Sequence, residues 1–181
     1  MLTHLGFDRA GNRRSTLART RIAPWWIDPH ALDAEPPSPI RVLPGSDATD
    51  PGNGLFEHKW IITPASDRQG LRLTGTPLAV RDVREYISEP IIPGTVQLPP
   101  GGEPIVLLAD AQTHGGYPRI GHVIRADRAR LAQLRAGDEV RFAPCTPAEA
   151  RAAMRERAHT LARIALAITG RTGVAPPRPS A

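Results

Sequence analysis

The sequence predicts a mainly β protein that forms a closed or nearly closed barrel, and three observations support this. The chain has 181 residues with 20 prolines, 16 glycines and only 4% aromatic residues, a composition that favours short strands and many turns. Apolar and polar residues alternate over short runs separated by turn residues. A helical pattern of useful length occurs only near the C-terminal end. Many short strands with few helices are typical of a barrel.

The predicted strands follow one another through the middle of the chain. They lie at residues 40–43, 56–62, 71–74, 95–98, 104–108, 122–124 and 139–142. Residues 95–98 and 104–108 flank a Pro-Pro-Gly-Gly turn at residues 99–102, so they predict a β-hairpin. Residues 80–86 fit either a helical turn or a strand, because periodicity does not decide between them.

Two helices are predicted after the strands. The first is short, covers residues 127–134 and has its first residue, an aspartate, as N-cap. The second begins with a capping box of Thr146, Pro147 and Glu149, with proline at the first helical position. It is amphipathic and stops before Gly170, and its apolar stripe consists of Met154, Leu161, Ile164, Ala165 and Ile168. The stripe fits packing on the same domain or on a partner.

These elements divide the chain into four parts. Residues 1–20 are polar and arginine-rich, and we expect a disordered lead-in. Residues 21–145 form one domain, residues 146–170 the C-terminal helix, and residues 171–181 a proline-containing tail.

Charge and cysteine content exclude several classes of function. The net charge is +5 and Lys59 is the only lysine, but basic and acidic residues are interleaved and no basic run contains stacking aromatics, which argues against nucleic-acid binding. No stretch approaches the roughly 20 apolar residues of a membrane span. Cys145 is the only cysteine, which excludes an internal disulfide and fits a reducing compartment. We expect a cytoplasmic protein that binds neither nucleic acid nor membrane.

Polar groups and glycines concentrate after the predicted hairpin. Its second strand leads to Asp110, Gln112 and Thr113, and the glycines at 115 and 116 can take positive φ or admit a ligand against bare backbone. This pattern is typical of a binding site, although a plain hairpin with a glycine-rich exit fits it too.

Three segments resemble the C-terminal half of the biotin-dependent carboxyltransferase family. They read RVLPG at residues 41–45, SDRQGLRLTG at 66–75 and PGTVQLPPGGEPIVLLADAQTHGGYPRIG at 93–121. Members include the C subunit of 5-oxoprolinase, the second subunit of allophanate hydrolase and the carboxyltransferase part of urea amidolyases. His114 replaces a threonine of the family pattern, and Gln69 replaces a bulkier apolar residue. Complete members carry an additional N-terminal half, which we expect this chain to lack.

The resemblance implies a cyclophilin-like β-barrel and a site built from arginines and hydrogen-bond donors, which stabilise negative charge that develops on oxygen. The candidate catalytic residues are Arg68, Asp67 and Asp110, although Asp67 fits an Asx turn equally well. Arg119 and Glu89 are further candidates. The candidate substrate-binding residues are Ser66, Arg72, Gln97, Gln112, Thr113, Gly115, Gly116 and Tyr117.

Two spatial expectations follow from the resemblance. Residues 66–68 and 110–117 should converge at the barrel rim, because a composite site needs both segments. An apolar surface should be exposed where the family's N-terminal half would pack.

Two functions fit the sequence. The chain is a portion of a subunit that acts with partner chains in ATP-dependent hydrolysis of 5-oxoproline or a urea derivative, or in carboxyl transfer, or it is a non-catalytic binding or regulatory module. The resemblance implies that ATP or carboxybiotin comes through a partner subunit of the 5-oxoprolinase or allophanate hydrolase type. The sequence itself shows no phosphate loop, biotin-attachment segment or metal-ligand spacing. It does not choose between 5-oxoproline and a urea derivative.

Overall fold

A computed structural model describes residues 38–45, 47, 54–79 and 87–172. The predicted lead-in at residues 1–20, the undecided segment at 80–86 and nearly all of the tail at 171–181 lie outside the described residues.

The described residues form ten strands and two helices. The strands are β1 (Ile40–Pro44), β2 (Trp60–Ile62), β3 (Gly70–Thr74), β4 (Glu89–Pro90), β5 (Thr95–Gln97), β6 (Ile105–Leu107), β7 (His114–Gly115), β8 (Arg119–Val123), β9 (Glu139–Val140) and β10 (Phe142–Pro144). The helices are α1 (Arg128–Leu131) and α2 (Pro147–Thr172). Eight strands form one sheet in the order β10-β1-β8-β5-β6-β3-β2-β9, and β4 pairs with β7 in a second sheet.

One stretch of chain closes the large sheet into a barrel. The edge strands β9 and β10 are consecutive, with only Arg141 between them. β9 pairs antiparallel with β2, and β10 pairs parallel with β1. The N–H of Ile40 also donates to the carbonyl of Arg141 over 2.8 Å. Residues 139–144 therefore bridge both edges, and the mainly β, nearly closed barrel is confirmed.

The barrel interior is filled by the apolar side chains of the predicted alternating pattern. Val42, Val96, Val106 and Val123 have no exposed surface, and they come from four neighbouring strands. Trp60 is also fully buried, and its indole N–H donates to the carbonyl of Leu55 over 3.1 Å, which satisfies its one polar atom. The predicted hairpin is confirmed as β5 paired antiparallel with β6.

Three local predictions were wrong. Residues 56–59 form a turn rather than the start of a strand, because the N–H groups of Glu57 and His58 both donate to the carbonyl of Gly54. Helix α1 ends at Leu131 rather than at residue 134, although Asp127 is its N-cap residue as predicted, without a side-chain cap bond. Helix α2 runs through Thr172 instead of stopping before Gly170.

The capping box of α2 is confirmed. Glu149 Oε2 accepts hydrogen bonds from the Thr146 backbone N–H over 2.7 Å and from its hydroxyl over 2.8 Å, and the Glu149 N–H donates back to Thr146 Oγ1. The first turns pack on the barrel through Ala150, Ala153 and Met154. Leu161 of the predicted stripe is 45% exposed. Neither described helix is long and apolar enough to cross a membrane.

Candidate functional site

A cavity of about 740 Å³ opens where β2 and β6 end and β3 and β5 begin. Its apolar wall is formed by Ile62, Leu71, Leu107, Leu108, Leu131 and Leu134. Its polar lining comes from Thr63, Ser66, Asp67, Arg68, Asp110, Arg128 and Arg135. An apolar pocket with a few convergent polar groups is the usual form of a small-molecule site.

Arg68 and Asp110 meet at this cavity although 41 residues separate them in the sequence. The Asp110 backbone N–H donates to the Arg68 carbonyl over 3.3 Å, and Arg68 Nε lies 3.6 Å from Asp110 Oδ2. The side chains are 92% and 55% exposed, so this ion pair adds little stability. Both groups are therefore accessible to a ligand. The expected convergence is confirmed for Asp110.

The neighbouring Ser66 and Asp67 stabilise the turn that carries Arg68. Asp67 Oδ1 accepts hydrogen bonds from the N–H groups of Gln69 (2.8 Å) and Gly70 (3.2 Å), which is the Asx turn that the sequence left open. Ser66 Oγ accepts from the Arg72 N–H over 2.9 Å and donates to the Arg72 carbonyl. The Arg72 side chain is exposed and does not line the cavity.

The rest of the second predicted segment lies elsewhere. Five further candidate residues follow Asp110 in this segment, and none of them lines the cavity. They are Gln112, Thr113, Gly115, Gly116 and Tyr117. They form or flank β7, which pairs with β4. Asp110 thus lies at the cavity with residues 66–68, and the convergence of residues 112–117 with this site stays a prediction.

Gly115 serves packing rather than an open backbone surface. Neither it nor Gly116 has positive φ. A Cβ at Gly115 would lie 2.6 Å from Gln97 Nε2 and 2.9 Å from Ile91 Cδ1. Gln97 is 2% exposed, so this candidate binding residue is covered by the β4–β7 sheet and does not reach the cavity.

Arg119 and Glu89 also belong to the β4–β7 side. Arg119 Nη2 lies 2.6 Å from Glu89 Oε2, and its Nε lies 3.3 Å from Asp47 Oδ2. The Glu89 contact links β4 to β8, and the Asp47 contact joins β8 to the segment that follows β1. Exposed apolar side chains flank the same small sheet, at Ile87, Ile92 and Tyr117. That the family's N-terminal half would pack against them stays a prediction.

Sequence reasoning missed Arg128, the half-buried arginine of the cavity. Its Nη2 lies 3.1 Å from His122 Nε2, and its Nε is buried without a hydrogen-bond partner in the described part of the chain. Burial, and then the positive charge of Arg125, lower the pKa of Arg128. The only sequence signal was the arginine-rich run that follows β8.

A buried ion pair holds α1 against β1. Asp127 is 2% exposed, and its Oδ1 lies 2.7 Å from Arg41 Nη2 while its Oδ2 accepts from Arg41 N and Nε. Burial opposes ionisation of Asp127, but the hydrogen bonds from Arg41 outweigh it and lower the pKa of Asp127. The carboxylate therefore binds Arg41 instead of capping α1.

Among residues 38–45, 47, 54–79 and 87–172, no three histidine, cysteine, aspartate or glutamate side chains come together as metal ligands.

Comparison with known proteins finds two relatives that share one name. The chain is 41% identical over 115 residues to the C subunit of 5-oxoprolinase from Escherichia coli strain K12, which covers 61% of this chain and 37% of that protein. It is 46% identical over 87 residues to the C subunit of 5-oxoprolinase from Haemophilus influenzae, covering 48% of this chain and 28% of that protein. The chain thus spans well under half the length of these curated relatives.

A solved structure supports the fold alone. The crystal structure of the Kluyveromyces lactis urea amidolyase matches 73% of this chain and 9% of its own with a TM-score of 0.64, at 20% identity.

Residues 6–144 match the family described as carboxyltransferase domain, subdomain A and B. Because this match covers more than half of the chain, the protein belongs to the carboxyltransferase domain family.

Proposed function

We propose that this chain supplies the substrate cavity of a protein of the 5-oxoprolinase type, which acts with partner chains in ATP-dependent opening of a small cyclic amide such as 5-oxoproline. The observation that carries the proposal is that two separate segments of the family pattern, residues 66–68 and Asp110, line one cavity. The two relatives named as 5-oxoprolinase subunits support 5-oxoproline over a urea derivative.

The chemistry of ring opening fits the groups at the rim. Water loses a proton as it adds to the lactam carbonyl, and negative charge develops on the carbonyl oxygen. The carbon–nitrogen bond then breaks, and the nitrogen takes up a proton to become the amine of the open-chain product. A guanidinium placed at that oxygen stabilises the charge. We assign this role to Arg68, and we assign to Asp110 the orientation of Arg68 or the removal of a proton from the attacking water.

Ser66 and Asp67 have a supporting role in this proposal. Their side chains already hydrogen-bond to the turn backbone, so they fix the position of Arg68 rather than act on the substrate. ATP enters through a partner chain, because the sequence contains no phosphate loop.

The test is product formation by purified chains. The purified chain is assayed for ATP-dependent release of glutamate from 5-oxoproline, alone and with partner subunits of the 5-oxoprolinase type. We expect no turnover by the chain alone and turnover by the complex. A complex that binds the chain yet hydrolyses no 5-oxoproline would favour the non-catalytic binding module instead.

A further inference from the structure

We propose that Arg128, positioned by His122, is the specificity-determining cation of the cavity and binds the carboxylate of a small cyclic amide. This inference rests on the proposed function for the class of ligand. Its physical basis is independent of catalysis, because it concerns an arginine whose charge is not neutralised in the described structure.

The charges that line the cavity do not balance. Three arginines (Arg68, Arg128, Arg135) and two aspartates (Asp67, Asp110) line it, so one positive charge is in excess. Arg68 has Asp110 as its ion-pair partner. Among the described residues, Arg128 has no carboxylate within ion-pair distance, since the adjacent Asp127 binds Arg41 and Arg130. A half-buried cation without a counter-ion is costly unless an anion joins it.

Unsatisfied donors occur on the same cavity. Three buried side-chain atoms lack a hydrogen-bond partner in the described residues, and two of them, Thr63 Oγ1 and Arg128 Nε, belong to residues that line the cavity. Hydroxyl and guanidinium N–H groups both need acceptors. A ligand with carboxylate and amide oxygens supplies them.

A chain of hydrogen bonds holds Arg128 in place. The Thr95 hydroxyl donates to the Ile92 carbonyl over 2.7 Å and lies 3.5 Å from His122 Nδ1. Because Arg128 Nη2 can only donate, His122 Nε2 must accept, which fixes the neutral ring with its proton on Nδ1. Burial, and then the charge of Arg128, lower the pKa of His122 and favour this neutral form.

Gly94 permits the close approach of this arginine to the backbone. Its φ is +93°, and a Cβ there would lie 3.1 Å from Arg128 Nε and 3.0 Å from the Val123 carbonyl. The guanidinium therefore lies against bare backbone at the cavity wall. The leucines of that wall suit the apolar ring atoms of a lactam, whereas a fully hydrated phosphate has no apolar part to bury there.

The inference is tested by calorimetric titration of the purified full-length chain without ATP or partners. The probes are 5-oxoproline, its uncharged analogue 2-pyrrolidinone, which lacks only the carboxylate, and inorganic phosphate. We expect 5-oxoproline to bind more tightly than either. Arg128→Gln should weaken 5-oxoproline binding by about tenfold or more, as for loss of a charge-assisted hydrogen bond, and leave 2-pyrrolidinone binding within about twofold.

Matched variants separate position from charge. Arg125 lies three residues before Arg128, and its side chain does not line the cavity. Arg125→Gln removes the same charge as Arg128→Gln and should leave binding of 5-oxoproline unchanged. Arg128→Lys should restore part of the affinity, and His122→Gln should weaken 5-oxoproline binding without affecting 2-pyrrolidinone. Thermal melting verifies that each variant is folded.

Three results would overturn the inference: equal binding of 5-oxoproline and 2-pyrrolidinone, an Arg128→Gln effect no larger than that of Arg125→Gln, or tighter binding of phosphate than of 5-oxoproline. Turnover by the complex is measured separately, so an inactive complex that still shows Arg128-dependent binding would refute the proposed function and leave this inference standing.

Discussion

The turn at Asp110 and strand β7 come from one stretch of sequence but lie in different environments. Asp110 is exposed beside Arg68 at the cavity. Five residues later, Gly115 packs closely on the buried Gln97. One motif thus contributes a charged group to the cavity lining and a cover to the barrel wall. A glycine within a motif can therefore be required by packing alone.

The two regions are also stabilised differently. The cavity side depends on the buried Asp127–Arg41 ion pair, which fixes α1 and with it Arg128. The β4–β7 side depends on a close backbone approach at Gly115 and on the contacts of Arg119. Variants that weaken one of these interactions at a time test whether the two regions are stabilised differently.

The largest expected effect is on the ion pair. Asp127→Asn should lower the free energy of unfolding by about 2–3 kcal/mol, because it leaves Arg41 without its carboxylate; we expect less than for a fully buried pair since Arg41 is partly exposed. Chemical denaturation measures the loss. The carboxylate variant Glu139→Gln, which loses only surface ion pairs to Lys59 and Arg141, is the control and should show a much smaller loss of stability. Equal stability of Asp127→Asn and the unchanged protein would contradict this account.

The same carboxylate predicts an acid-dependent loss of stability. The folded-state pKa of Asp127 is lowered, so its contribution is fully present above the unfolded pKa, near 3.9, and is lost as the pH falls through the lower folded value. Urea unfolding measured between pH 6 and pH 2 should therefore show a fall in stability below about pH 4 that is smaller in Asp127→Asn. If the stability of the two proteins fell in parallel with pH, Asp127 would be excluded as a source of the acid-dependent loss of stability.

A smaller effect is expected on the opposite side. Gly115→Ala should cost about 1–2 kcal/mol in unfolding free energy, because its Cβ would crowd a Gln97 amide that cannot move into solvent. Binding at the cavity should not change. Gly101→Ala, where a Cβ meets nothing within 4 Å, is the control. A loss of 5-oxoproline binding in Gly115→Ala with normal stability would show that Gly115 belongs to the site.

The smallest effect concerns the turn that carries Arg68. Ser66→Ala removes two hydrogen bonds to Arg72 and should cost about 1 kcal/mol of stability or less at this exposed position. Thermal melting and ligand titration measure both consequences. If Ser66→Ala abolished ligand binding while the melting temperature was unchanged, Ser66 would contact the ligand directly.

The sequence predicted the barrel because strand alternation and turn residues are local signals. β5, β6 and the hairpin between them follow from such signals. The two-residue strands β4 and β7 have no period to detect, so the division of residues 110–117 between two regions was not visible. Asp127 is the N-cap residue of α1 as predicted, but its side chain binds Arg41, a partner 86 residues away that no local signal reveals.

The cavity itself was predictable only in part. Arg68 and Asp110 were found through the family pattern, whereas Arg128 became visible only when folding placed α1 beside the turns of β3 and β6. Its environment joins Gly94, before β5, to the stretch from His122 to Arg128. No local rule joins them.

The central claim is that the cavity, and not the β4–β7 surface, is the functional site. The most direct test compares kcat/KM for ATP-dependent opening of 5-oxoproline by the assembled complex carrying Arg68→Ala or Asp110→Ala with the same complex carrying Gln112→Ala or Tyr117→Phe. We predict that each cavity variant loses about 2–4 kcal/mol of transition-state stabilisation, while both surface variants stay within about twofold of the unchanged complex. Full activity in the cavity variants together with large losses in the surface variants would contradict the claim.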